Sequence, residues 1–209
     1  MPVTGIKILI PVDLAGFGTS SVPDHNISLL AYALLGLLQQ EPRSGYDLRK
    51  IFSATPLTSF SDSPGSIYPA LERLERQGLI RSRVEERSGL RRRRLFRLTT
   101  AGVNELKGWQ SRPLIRDDVI RGVEELMLRF AFMDESLGPE HSLRFLTALK
   151  RELKDYIPIL RAYLENHGGD MPLSGRLALE SGVLSYESWL RWARDAIANY
   201  EKGKGRSRS

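Results

Sequence analysis

Residues 65–80, GSIYPALERLERQGLI, carry the start, the stop and both faces of a single helix. Ser66 stands where an N-cap belongs, and Pro69 falls in the first turn, where a missing amide hydrogen costs little. Ile67, Leu71 and Leu74 recur at spacings of four and three and form a stripe to be buried. Tyr68, Glu72, Arg73, Glu75 and Arg76 lie off that stripe, so the outer face is polar and partly cationic. Gln77-Gly78 closes the helix with glycine at the left-handed position that other residues resist.

Working outward, Ile27, Leu30, Leu34 and Leu38 predict a helix over 26–40 with Asn26 as its cap, and Glu41-Pro42 ends it. Ser44 caps a second helix over 45–54, to which Tyr46, Leu48, Ile51 and Phe52 supply contacts, before Thr55-Pro56 and a polar loop over 57–63. Downstream, residues 79–85 alternate apolar and charged, and 95–98 do so again after a tip containing Ser88-Gly89, which predicts a β-hairpin. Thr99 caps a fourth helix through Leu106 and Trp109, and Pro113 terminates it. Three helices, a hairpin and a helix, in that order, make a winged helix-turn-helix.

Beyond Pro113 there are only helix signals. Residues 123–133 are amphipathic, and Gly138-Pro139 breaks before the next run. Leu146, Leu149, Leu153, Tyr156, Leu160 and Tyr163 form one seam, in which Pro158 predicts a kink. Leu179, Val183, Tyr186, Leu190, Ala193, Ile197 and Tyr200 form another, through Trp189 and Trp192. Such seams suit a helical partner, so Leu149, Leu153, Tyr156, Leu160, Val183, Tyr186, Leu190 and Ile197 are the expected dimer contacts. The fold class is therefore mainly α with a small β-hairpin wing: an N-terminal winged helix-turn-helix domain and a C-terminal long-helix dimerisation domain. The expected boundaries are a flexible arm over 1–25, the winged helix-turn-helix domain over 26–112, the dimerisation domain over 113–200 and a basic disordered tail over 201–209.

Charge divides the same way. Residues 1–112 hold 16 Lys or Arg against 10 Asp or Glu, whereas 113–209 hold 15 of each, so the chain's net charge of +6 belongs to the first half. That asymmetry points to an anionic partner for the N-terminal domain. The chain has no Cys, and His25, His141 and His167 are too scattered to hold a metal, so no metal and no cofactor are expected. No nucleophile with a base and no phosphate loop is recognisable, which argues against an enzyme. The longest apolar run, 27–38, is interrupted and too short to cross a membrane, so a soluble cytoplasmic protein is expected.

Ser44-Gly-Tyr-Asp-Leu48, Gly65-Ser-Ile-Tyr-Pro-Ala-Leu71, Arg73-Leu74, Gln77-Gly-Leu-Ile80 and Phe96-Arg-Leu-Thr-Thr-Ala-Gly102 occur in this order. Together they resemble the PadR family of bacterial regulators across about residues 27 to 110. The resemblance implies a winged-helix domain, a dimer-forming helical tail, repression of transcription in many members and, in some, release from DNA by small aromatic compounds.

In a helix-turn-helix, residues near the start of the recognition helix meet base edges and phosphates. The candidate DNA-binding residues are Ser44, Tyr46, Gly65, Ser66, Tyr68, Pro69 and Arg73, with Arg87, Arg91, Arg92, Arg93 and Arg94 of the wing. Tyr68 either meets DNA or packs on the preceding helix; Tyr46 either touches phosphate or fills the core. Strand alternation sends the four adjacent arginines to opposite faces, so about two of them can meet one phosphate backbone at once. The alternative is a solvated charge run, or a winged helix whose arginines take an acidic protein or RNA. Trp109, Trp189 and Trp192 are either structural or walls of an effector cavity, whose site the sequence leaves unknown. Expected partners are thus double-stranded DNA as an inverted repeat, a second copy of the chain, and a small-molecule effector.

Overall fold

A computed structural model describes residues 27–61, 65–87 and 90–206. The expected arm, the Asn26 cap, the Ser88-Gly89 tip and the last residues of the tail lie outside the described residues. Packing divides the chain into two units, residues 26–148 and residues 149 onward.

The first unit is built around α1 (Leu29–Gln40), in which every residue from Leu30 to Leu38 is buried. A helix apolar on all sides has to sit in the middle of a core. Ser28 caps it, its Oγ accepting from the Ala31 N–H at 3.3 Å. β1 (Arg43–Ser44) leads into α2 (Gly45–Ala54), and a 3-10 turn, Pro56–Phe60, follows where the sequence predicts only a loop. α3 (Ile67–Arg76) buries Ile67, Ala70, Leu71 and Leu74. It ends as its glycine requires: Gly78 has φ +71°, and the Leu79 and Gly78 N–H groups donate back to the carbonyls of Leu74 and Glu75 at 3.0 and 2.9 Å.

β2 (Ile80–Arg87) and β3 (Leu90–Leu98) form the hairpin, with Ile80 opposite Leu98 and Glu85 opposite Arg93. β3 is longer than expected, because the arginine run itself is strand. β1 adds a third strand, Arg43 opposite Phe96 and Ser44 opposite Leu95, giving the order β1-β3-β2. α4 (Thr100–Gln110) then closes the core, capped by Thr99, whose Oγ1 accepts from the Gly102 N–H at 3.1 Å. Trp109 stacks on Tyr32 with centroids 4.1 Å apart and is buried, so it is a core residue.

The packing does not divide near Arg112. α5 (Arg116–Arg121) and α7 (Met133–Leu137), unsignalled in the sequence, and α6 (Val123–Ala131), expected over 123–133, belong to the first unit. Leu128 and Phe132 join the same core as α1. The guanidinium of buried Arg129 donates to the carbonyls of Gln110 and Arg112, where a cation is favoured by the end of a helix, and the Gln110 amide donates back to the Arg129 carbonyl at 3.3 Å. Ser136 donates to Gln39 of α1 at 2.6 Å.

α8 (Pro139–His167) crosses the division at residue 148, and α9 (Leu173–Arg206) follows a short 3-10 turn. Pro158 lies inside α8 without ending it. Within the second unit Leu160, Leu179 and Val183 form a core flanked by Tyr156 and Tyr186, whose rings meet edge to face at 5.2 Å. Arg161 pairs with Glu187 across the two helices. Of the expected dimer contacts, Leu149, Leu153, Leu160, Val183 and Ile197 are buried within the single chain, while Tyr156, Tyr186 and Leu190 are half-buried. The apolar side chains left exposed are Ile159 on α8 and Leu173, Leu177 and Leu184 on α9. No described helix is long and apolar enough to cross a membrane.

Candidate nucleic-acid interface

The outer face of α3 presents Tyr68, Pro69, Glu72, Arg73 and Arg76, all exposed, opposite its buried stripe. Among the described residues neither Arg73 nor Arg76 has a carboxylate partner. Tyr68 packs on the preceding helix, its ring lying over Gly45, where a Cβ would come within 2.6 Å of Cε1, and it remains 45% exposed. Tyr46 is 61% exposed with the Arg49 guanidinium 5.7 Å from its ring, so it is no core residue. Two tyrosines and exposed Gly65 therefore stand around the starts of α2 and α3, and Arg73 and Arg76 stand exposed on the last turn of α3.

Two expected contacts are turned elsewhere. Ser44 is buried, and its hydroxyl is used in a capping box: it accepts from the Asp47 N–H at 3.2 Å and donates to Asp47 Oδ2 at 2.8 Å. The Ser44 N–H donates to the same carboxylate at 3.2 Å. Ser66 occupies the N-cap position of α3 but makes no cap bond; its Oγ lies 2.7 Å from Ser61 Oγ.

The wing arginines divide. Arg93 pairs with Asp47 of α2, and Arg94 pairs with Glu75 of α3, as alternation to opposite faces requires. Partial burial opposes the charge on Asp47, but hydrogen bonds from Ser44 and Arg93 and the Arg93 charge outweigh it and hold the carboxyl below its ordinary pKa. Of Arg87, Arg91 and Arg92 only the backbone is described, Arg87 pairing with Leu90 and the other two continuing β3. Sequence reading missed Arg81, Arg83 and Arg97, which are exposed, with Arg81 directly opposite Arg97. Like charges facing each other across strands destabilise a hairpin, and an anion relieves them. The signal was available in the alternation of 81–84, which sends Arg81 and Arg83 to one face.

In the second unit a groove of about 400 Å³ runs beside Ile157 and Leu190, rimmed by Lys154, Arg191 and Arg194. None of the three tryptophans borders it. Trp189 and Trp192 are half-buried and meet each other edge to face at 5.8 Å.

Residues 34–108 match the transcriptional regulator PadR-like family, and residues 124–201 match the C-terminal region of virulence activator alpha. The negative transcriptional regulator PadR of Bacillus subtilis (strain 168) is 26% identical over 181 residues, covering 83% of this chain and 98% of that protein. Among solved structures, Bacillus subtilis PadR with operator DNA is 23% identical, covers 82% of this chain and 99% of its own, and superposes with a TM-score of 0.39. The same protein with p-coumaric acid is 24% identical, with coverage of 83% and 96% and a TM-score of 0.36.

Proposed function

The chain belongs to the PadR-like family of transcriptional regulators, and from that membership we propose that it represses transcription by binding an inverted-repeat operator as a homodimer in the cytoplasm. The first unit holds DNA and the second holds the other copy. The observation that carries the DNA reading is the outer face of α3, where Tyr68, Arg73 and Arg76 stand exposed and, among the described residues, neither arginine has a carboxylate partner. Side chains at such positions reach base edges and phosphates when the helix lies in a major groove. Repression is supported by the name of the curated relative, a negative regulator. A small aromatic effector enters the proposal by family likeness alone.

Selection of duplexes from a random pool by the purified protein tests this. An inverted repeat should emerge with half-site centres one turn, or a multiple of roughly 34 Å, apart. Affinity should fall with salt, by a log-log slope of about 0.9 for each phosphate neutralised. Equal binding of selected and random duplexes at physiological salt would instead favour a non-specific or protein-binding role.

Gly45 offers a sharper test of the face itself. Gly45→Ala pushes the Tyr68 ring aside, and since only a mobile ring has to move, the melting temperature should stay near wild type. Operator affinity should fall about tenfold, the scale of one lost specific contact. Tyr68→Ala should cost as much, and the double variant no more than either, because both remove one contact. Additive losses in the double variant would mean that Gly45 and Tyr68 act separately.

A further inference from the structure

Three hydrogen bonds, all to Glu75, tie the wing to the recognition helix. Glu75, on the last turn of α3, accepts from the Ser82 N–H at 3.0 Å and the Ser82 hydroxyl at 2.6 Å through one carboxylate oxygen, and from Arg94 through the other. Arg94 also donates from Nε to Ser82 Oγ at 2.8 Å, and its guanidinium lies 5.1 Å from the Phe96 ring. Ser82 and Phe96 are opposite each other in the β2–β3 register, so the network spans both strands and one helix. On the other sheet face Arg93 is bound to the Asp47 carboxylate that caps α2. Each carboxylate already holds local backbone, so each is fixed before the arginine reaches it.

We infer that Glu75 and Arg94, with Ser82 between them, are positioning residues that set the angle of the wing against α3, and that Arg94 is no phosphate ligand. This rests on the DNA-binding reading above. A guanidinium spending Nε on a hydroxyl, Nη2 on a carboxylate and one face on a ring has its plane fixed toward the protein. The cations left to meet phosphate are then those without such partners, Arg73 and Arg76 among them. The network lets α3 and the wing meet DNA as one rigid body, which lowers the ordering cost of binding.

Operator affinity over a salt series, with melting temperature as the control for folding, tests the assignment on E75Q, R94A and the swapped pair E75R/R94E. Both single variants should weaken binding by roughly fivefold, the upper range for a partly exposed pair, while the salt slope stays that of wild type. The swapped pair should recover only the share of the loss that the ion pair carries, since an arginine at 75 cannot accept from Ser82, yet any recovery excludes a phosphate-binding role for Arg94, which cannot survive its replacement by glutamate. A slope reduced by about 0.9 in R94A would make Arg94 a phosphate ligand and overturn the inference. Tighter binding with a steeper slope in E75Q would make Glu75 a mask, and also overturn it. Wild-type affinity in both single variants would do the same. Failure of the wild-type protein to bind any duplex would strike the DNA-binding reading itself, a separate result.

Discussion

Gly102→Ala should destabilise the protein by about 3 kcal/mol, lowering its melting temperature by roughly 6 to 12 °C. Helix propensity alone predicts the opposite sign, since alanine is favoured over glycine within a helix by about 1 kcal/mol. The difference lies in one close approach. A Cβ at residue 102 would sit 2.0 Å from the Leu79 carbonyl oxygen and 3.0 Å from its carbon, and main-chain atoms cannot rotate away. That carbonyl is moreover in use, accepting from the Thr99 N–H at 3.1 Å and the Thr99 hydroxyl at 3.0 Å. Relief would require α4 to draw away from the α3–β2 corner, losing the Thr99 bonds and the packing of Leu106 and Trp109 against α1. Gly108, in the same helix with open space at its Cβ, is the internal control, and Gly108→Ala should leave stability unchanged or raise it by up to about 1 kcal/mol. Thermal unfolding by circular dichroism reads both. An unchanged or raised midpoint in Gly102→Ala would show that the corner is more pliant than its geometry indicates.

The same corner shows what a sequence can reveal. The Thr99 cap, the Gly78 stop and the α3 stripe were legible because each depends on residues within a turn of one another. β1 was not, since two residues become a strand only through partners more than fifty positions away, at Leu95 and Phe96. The partners of Arg93 and Arg94 were hidden for the same reason: a run of four arginines reads as free charge until Asp47 and Glu75 are brought beside it. Ser28, which the sequence reading passed over, caps α1. Of the heptad seams after Pro139, Leu160 and Val183 do share a core, flanked by Tyr156 and Tyr186. What periodicity could not tell is whether the opposing helix comes from the same chain, and Leu160, Leu179 and Val183 show that it does.

That outcome moves the proposed dimer contact to what the hairpin leaves uncovered, and it leads to the second large effect. Leu173, Leu177 and Leu184 are 62%, 50% and 65% exposed on α9 and recur at spacings of four and seven, so they form one stripe, while Leu179 and Val183 between them face α8. A stripe of exposed leucines on a long helix is suited to a partner surface. Leu177→Glu combined with Leu184→Glu should leave each chain folded, because both side chains already meet water. In the proposed dimer the same change would bury two carboxylates per chain, and the dissociation constant should rise at least about a hundredfold. Operator binding should fall with it, since a monomer engages one half-site and forfeits an effective-concentration gain on the order of 10²–10⁴. The salt slope should drop to about half, because half the phosphates are met. Sedimentation at several concentrations measures the first effect and a salt titration on the selected duplex the others. A variant that still sediments as a dimer would place the contact on another face. One that sediments as a monomer yet binds with the full wild-type slope would separate DNA recognition from dimerisation altogether.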